Sequence, residues 1–107
     1  MPADSYKLGI AHIRAGRFFE AHEELEIAWR AAATEERDFY QGLVHVAVAW
    51  YQAGRQRPVA TTRQLEKAIR RLTPYVPEHR GVRLQPLLEQ LRELRAAGSL
   101  DLPQPKL

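Results

Sequence analysis

The chain is predicted to be all-α, a small bundle of about five helices built as stacked helical hairpins. Three observations carry this. No segment sustains a period-two alternation with β-branched enrichment. Apolar residues recur instead at helical spacing in successive segments. Glycine or proline stands at most of the breaks between those segments.

The first helix is expected from about Asp4 to Ala15, with Asp4 or Ser5 as N-cap. Leu8, Ala11 and Ile13 give it only a weak apolar stripe, and Gly16 marks its stop. The second runs from about Arg17 to Ala33. Phe18, Ala21, His22, Leu25, Ala28 and Trp29 fall on one face of it. Thr34 suits the N-cap of the third helix, and Glu35 and Glu36 occupy its first turn, where the helix dipole favours acid. The nearly unbroken apolar stretch Gly42–Tyr51 makes this helix, ending near Ala53, the central one. The fourth runs from about Pro58, because proline suits the first helical position, to Leu72. Its core face is Leu65, Ala68, Ile69 and Leu72. Arg63, Lys67, Arg70 and Arg71 form a basic stripe opposite. Pro74, Pro77 and Gly81 make a loop. The fifth helix, Leu84 to Ala97, carries a leucine face and stops at Gly98. Residues 1–97 therefore form one domain, and Pro103 and Pro105 make residues 98–107 a mobile tail.

A weak internal repeat supports hairpin stacking. Leu8, Gly9, Ala21, Leu25 and Ala28 have the spacing of a tetratricopeptide hairpin. Val48, Ala49, Thr61, Leu65 and Ala68 repeat it 40 residues later. That period exceeds the roughly 34 residues usual for that repeat, and the pattern is too degenerate for a true array.

Composition narrows the function. The 107 residues include no cysteine, so disulfides, thiolate metal sites and cysteine nucleophiles are excluded. Met1–Lys7 has no apolar signal region and no apolar run reaches membrane-spanning length, so a cytoplasmic location away from the membrane is expected. Residues 1–54 carry 5 basic and 8 acidic side chains, a balance of −3. Residues 55–95 carry 10 and 4, a balance of +6. Trp29, Trp50, Phe18, Phe19, Phe39 and Tyr40 are most simply core or interface residues. The charge asymmetry, with exposed aromatics such as Tyr40, Trp50 or Tyr51, leads to a homodimer as the expected state. No aromatics interleave with the basic stripe, which argues against nucleic acid as partner.

The segment Phe18–Trp29, FFEAHEELEIAW, concentrates the chemistry. Charge set among large apolar residues is costly unless it is paired or used. His22 and Glu26 are four residues apart and can meet, as can Gln41 and His45. If the second and third helices pack antiparallel, His22, Glu26 and His45 would form two imidazoles and a carboxylate, a set that suits a divalent transition metal. The candidate pocket is Phe19, Glu20, His22, Glu23, Glu26, Trp29, Gln41 and His45. The alternative is a polar network that only completes the core. His22–Glu26 is not the zinc-protease motif, whose fifth position is histidine. No phosphate loop or nucleophile elbow is present, and Ser5 and Ser99, the only serines, lie near the ends. His12 and His79 show no partner pattern and are expected at the surface.

At these residues the chain resembles the bacterial and archaeal family called domain of unknown function 309. The resemblance lies in FFEAHEELEIAW at Phe18–Trp29, Arg37–Leu43 and the Val46–Tyr51 run, and it covers roughly Tyr6 to Leu72. It implies a small helical bundle with no established activity and a polar cluster at Glu20, His22, Glu23, Glu26, Trp29, Gln41 and Gly42. Members often carry histidine near the end of the third helix, where Gln52 stands here, and a Gly-Asn…Gly-Ala stretch where this chain reads Gly54–Ala60.

Two functions are therefore expected to compete. One is a binding or scaffolding module, with a protein partner, using the acidic, histidine and tryptophan groove between the second and third helices. The other is a metal-dependent or acid–base, hydrolase-like enzyme using His22, Glu23 and Glu26.

Overall fold

The structure, a computed structural model, describes residues 2–107. Five helices carry it: α1 (Pro2–Arg14), α2 (Phe18–Ala31), α3 (Thr34–Gly54), α4 (Pro58–Leu72) and α5 (Leu84–Ala97). A 3-10 turn at Thr73–Tyr75 follows α4. A two-residue hairpin, β1 (Glu78–His79) against β2 (Val82–Arg83), pairs antiparallel with His79 opposite Val82. Among the described residues no helix is long and apolar enough to cross a membrane.

The helix starts and stops follow local chemistry. Pro58 opens α4, where a missing N–H costs nothing. Gly16 at φ +77° and Gly98 at φ +68° take the left-handed conformation that ends α1 and α5, which a β-carbon would disfavour. Thr34 is the first residue of α3 and not its cap. Ala33 holds that position without a side-chain hydrogen bond. The acids of the first turn supply the favourable charge instead.

α1 packs on α2 and α3 packs on α4, and the two hairpins stack through α2 and α3. Small residues set the distances. A β-carbon on Gly9 of α1 would lie 2.6 Å from Leu25 Cγ of α2. One on Gly42 of α3 would lie 2.6 Å from Leu72 Cγ of α4. Gly9 is a repeat position and Gly42 is not; the repeat residues Ala21, Leu25 and Ala28, and then Ala49, Thr61, Leu65 and Ala68, are buried. Leu8 and Val48, which open each repeat, stay partly exposed. α3 is central, burying Phe39, Leu43, Val46, Ala47 and Ala49 completely. Burial of such side chains is the main favourable term in folding.

Three expectations fail here. Tyr40 and Trp50 are not exposed aromatics, since they keep only 8% and 6% of their surface. The proline-rich loop adds a hairpin too short for a period-two signal. The tail is not free. Trp50 Nε1 donates to Pro103 O at 2.9 Å, and Gln90 of α5 donates to Gln104 O and accepts from Lys106 N, both at 2.9 Å. Gln104 Nε2 donates to Ile13 O of α1 at 2.9 Å, and Leu102 and Leu107 pack on the core. Proline removes donors from the tail, but the buried Gln90 and the exposed Gln104 supply others.

Candidate functional site

The Phe18–Trp29 block is α2 almost entirely. Ala21, Leu25 and Ala28 face the core, and one edge beside them runs along α3. There the Phe18 ring lies 6.2 Å from Trp50, and the exposed Phe19 ring lies 5.5 Å from Tyr51. The Arg37 guanidinium sits 5.1 Å over the Trp29 ring. His22 Nε2 and Glu26 Oε1 share a hydrogen bond of 3.2 Å, and Arg30 donates to the other Glu26 oxygen at 3.4 Å. The His22 and Glu26 side chains are 27% and 31% exposed. Residues four apart on a helix meet on one face, so this pair follows from α2 itself. This polar cluster lies half-buried on the edge of α2 beside α3.

The floor beside that edge is the open face of α3. Gln41, His45, Val48 and Gln52 recur at helical spacing, and each is partly exposed. Phe19, His22, Val48, Tyr51 and Gln52 enclose a hollow of about 150 Å³. Gln52, the position at which the first-noted resemblance expects histidine, thus stands beside His22. Across the floor, His45 Nδ1 donates to Gln64 Oε1 of α4 at 2.7 Å. Burial lowers the His45 pKa below the ordinary histidine value, the Gln64 bond opposes this, and Lys67, Arg71 and Arg70 lower it further. Arg71 closes the α4 side, with Nη1 donating to Asp38 Oδ1 at 2.7 Å. Among the described residues its Nε is buried without an acceptor.

The sequence-predicted residues are thus divided. Phe19, His22, Glu26 and Trp29 share the α3-facing edge of α2, and Gln41 and His45 line the floor. Glu20 and Glu23 are exposed, and helical geometry places them about 200° and 100° around α2 from His22. The proposed metal trio does not assemble. His45 turns to α4, and among the described residues no three His, Asp or Glu side chains gather where one ion would reach them. Arg63, Lys67 and Arg70 are exposed on α4, whereas Arg71 is drawn to α3.

A second cluster has no counterpart in the sequence reading. Glu36 of α3 accepts from His79 Nε2 at 2.9 Å through each oxygen, and from Arg80 Nε. His79, expected at the surface, packs edge-on against Phe39 with ring centroids 4.6 Å apart. Tyr75 OH donates to Glu35 O at 2.7 Å and Tyr6 OH to Arg80 O at 2.8 Å. Burial, with Tyr40 adding to it, pushes the Tyr6 pKa up to about 12, so Tyr6 stays a neutral donor. The Arg80 bond, and after burial's opposing effect the His79 bond, hold the Glu36 carboxyl below the ordinary glutamate range. These partners lie more than 40 residues apart, and only the Pro-Gly loop hinted at a turn there. His12, also expected free at the surface, accepts from Arg17 Nε at 2.9 Å.

Residues 6–63 match the model of a family described as domain of unknown function (DUF309), more than half of the chain, and the chain belongs to that family. No curated protein and no solved structure gives a match. The matched segment contains α2, α3 and the start of α4, and so the whole hollow at His22.

Proposed function

We propose that this family member is a binding module that recognises a protein segment on the open face of α3 between α2 and α4. One observation carries the reading: the Phe18–Trp29 segment sets the half-buried His22–Glu26 pair and the exposed Phe19 ring beside a small apolar-walled hollow. At about 150 Å³ the hollow falls below the roughly 300–1,000 Å³ of small-molecule sites. It fits one apolar side chain of a partner. Glu26, one helical turn from His22 on α2, accepts a donor from such a partner.

Peptide display against the intact protein tests this. Selected peptides should lose affinity roughly tenfold or more on Val48→Glu, a charge placed in the hollow. They should be indifferent to Leu8→Glu on the far hairpin. Peptides that ignore Val48→Glu would end the proposal.

The acid–base alternative has less support, because Glu23 points away from His22 and only Glu26 meets it. A second reading, self-association, is favoured by Phe19 and Ile27, 47% and 48% exposed on α2. Light scattering of the wild type and Ile27→Glu decides it: a dimer mass that falls to one chain in the variant supports pairing through α2, and a single-chain mass in both removes it.

A further inference from the structure

A second hollow, of about 660 Å³, lies between α1 and the hairpin and shares no residue with the one at His22. We propose that it binds a small organic phosphate whose body is apolar. Its size lies within the small-molecule range. Ile10 and Val82, 7% and 2% exposed, supply an apolar floor. Lys7, Arg14 and Arg80 supply the rim, and no acid lines it.

The hairpin wall is fixed. Arg80 and Gly81 turn at φ +46° and +79°, and Tyr6 OH holds the Arg80 carbonyl from α1. Glu36 holds the Arg80 side chain from outside the hollow and offsets its charge. The surplus positive charge therefore belongs to Lys7 and Arg14, both exposed. Arg14 Nε donates to Leu107 O at 3.1 Å, which leaves its terminal nitrogens for a ligand. The ammonium of Lys7 is strongly hydrated and freely placed. An adjoining hollow of about 430 Å³ shares Arg14 and Gly81 and adds Arg83 and Lys106, so the positive rim continues toward the tail.

A phosphate dianion seated between Lys7 and Arg14 gains charge-assisted hydrogen bonds. Its organic body covers Ile10 and Val82 and removes apolar surface from water. The two parts select for both features together. Inorganic phosphate lacks the second, and a neutral aryl alcohol lacks the first. Lys7, Ile10 and Arg14 lie within the family-matched residues 6–63, whereas the Arg80–Val82 wall lies beyond them.

Titration of the full chain with 2-naphthyl phosphate, followed by amide NMR shifts, tests the proposal. Saturable shifts are expected at Lys7, Ala11, Arg14 and Gly81. The Kd should rise roughly tenfold, about 1.4 kcal/mol, in Lys7→Gln and again in Arg14→Gln. It should be unchanged in Lys67→Gln on α4. Lys7 makes no side-chain hydrogen bond among the described residues, so its variant folds and keeps the test decisive. Three results would overturn the site: no saturation by on the order of 10 mM, equal weakening by Lys67→Gln, or equal affinity for inorganic phosphate. Tighter binding of polyuridylate at the same amides would reassign the groove to nucleic acid and also end the proposal.

Discussion

Glu36 in the first turn of α3 and His79 on β1 are joined at 2.9 Å across 43 residues of chain. With Arg80 beside His79, this carboxylate fastens the loop after α4 to the start of α3. The Glu36 and His79 side chains are 17% and 28% exposed, whereas Arg80 is open to water.

Glu36→Ala should cost about 0.5–1.5 kcal/mol in urea unfolding, because it removes the acceptor of the part-buried His79 while water can take up the exposed Arg80. Acid should act through the same group. The folded-state pKa of Glu36 is depressed, so its stabilisation is full above the ordinary glutamate value of about 4.3 and is lost as pH falls below it. The wild type should lose more stability than Glu36→Gln between about pH 5 and pH 3. Parallel curves would show that Glu36 does not anchor the loop.

His45 gives a pH dependence in a higher window. Its folded-state pKa is depressed by burial, so the unfolded chain binds the proton more readily. Stability should be full above the ordinary histidine value of about 6.5 and decline as pH drops toward the folded-state value. His45→Gln should flatten the melting temperature between about pH 7.5 and pH 5.5. An NMR titration placing the His45 pKa above the ordinary value would contradict this sign.

Gly42 and Gly54 should respond oppositely to alanine. The new β-carbon at Gly42 meets the fully buried Leu72 at 2.6 Å, whereas that at Gly54 meets nothing within 4 Å. Overpacking costs about 1–3 kcal/mol, against a helix-propensity gain of up to about 1 kcal/mol. Gly42→Ala should lower the unfolding midpoint, and Gly54→Ala should leave it unchanged or raise it. Equal midpoints would mean that α3 and α4 approach less closely.

Gln90 holds the tail with both ends of its amide. Gln90→Ala should cost about 1–3 kcal/mol and speed hydrogen exchange at the Lys106 amide. Unchanged exchange there would mean that Trp50 and Gln104 suffice to dock the tail.

The helices were legible in the sequence to a degree the site was not. Pro58 and Leu72 bound α4, and Leu84 and Ala97 bound α5, as the periodicity and the Pro and Gly signals predict. His22–Glu26 was legible because four residues of helix fix that distance. The Gln41–His45 face also continues to Val48 and Gln52 by simple spacing, a signal present in the sequence but not followed there. His45 was misdirected because helical spacing gives a face and not a neighbour: the residue sits between α2 and α4, and Gln64 is the partner within reach. Tyr40 and Trp50 allowed both a core and a surface reading, and only the fold shows that Tyr6 packs edge-on against one and that Pro103 accepts from the other.

The sequence by itself determined five helices, their order, their stops and the small residues at which they cross. Each of these depends on forces acting within a turn or two of chain: dihedral preference, side-chain spacing and the satisfaction of helix ends. The tertiary structure alone decided that α2 lays its His22 edge along α3, that Glu36 gathers His79 and Arg80, that the tail lies on Gln90, and that α1 and the hairpin enclose a positively rimmed groove. Those contacts join residues far apart in the chain, and they form only because packing the whole apolar core brings their elements together.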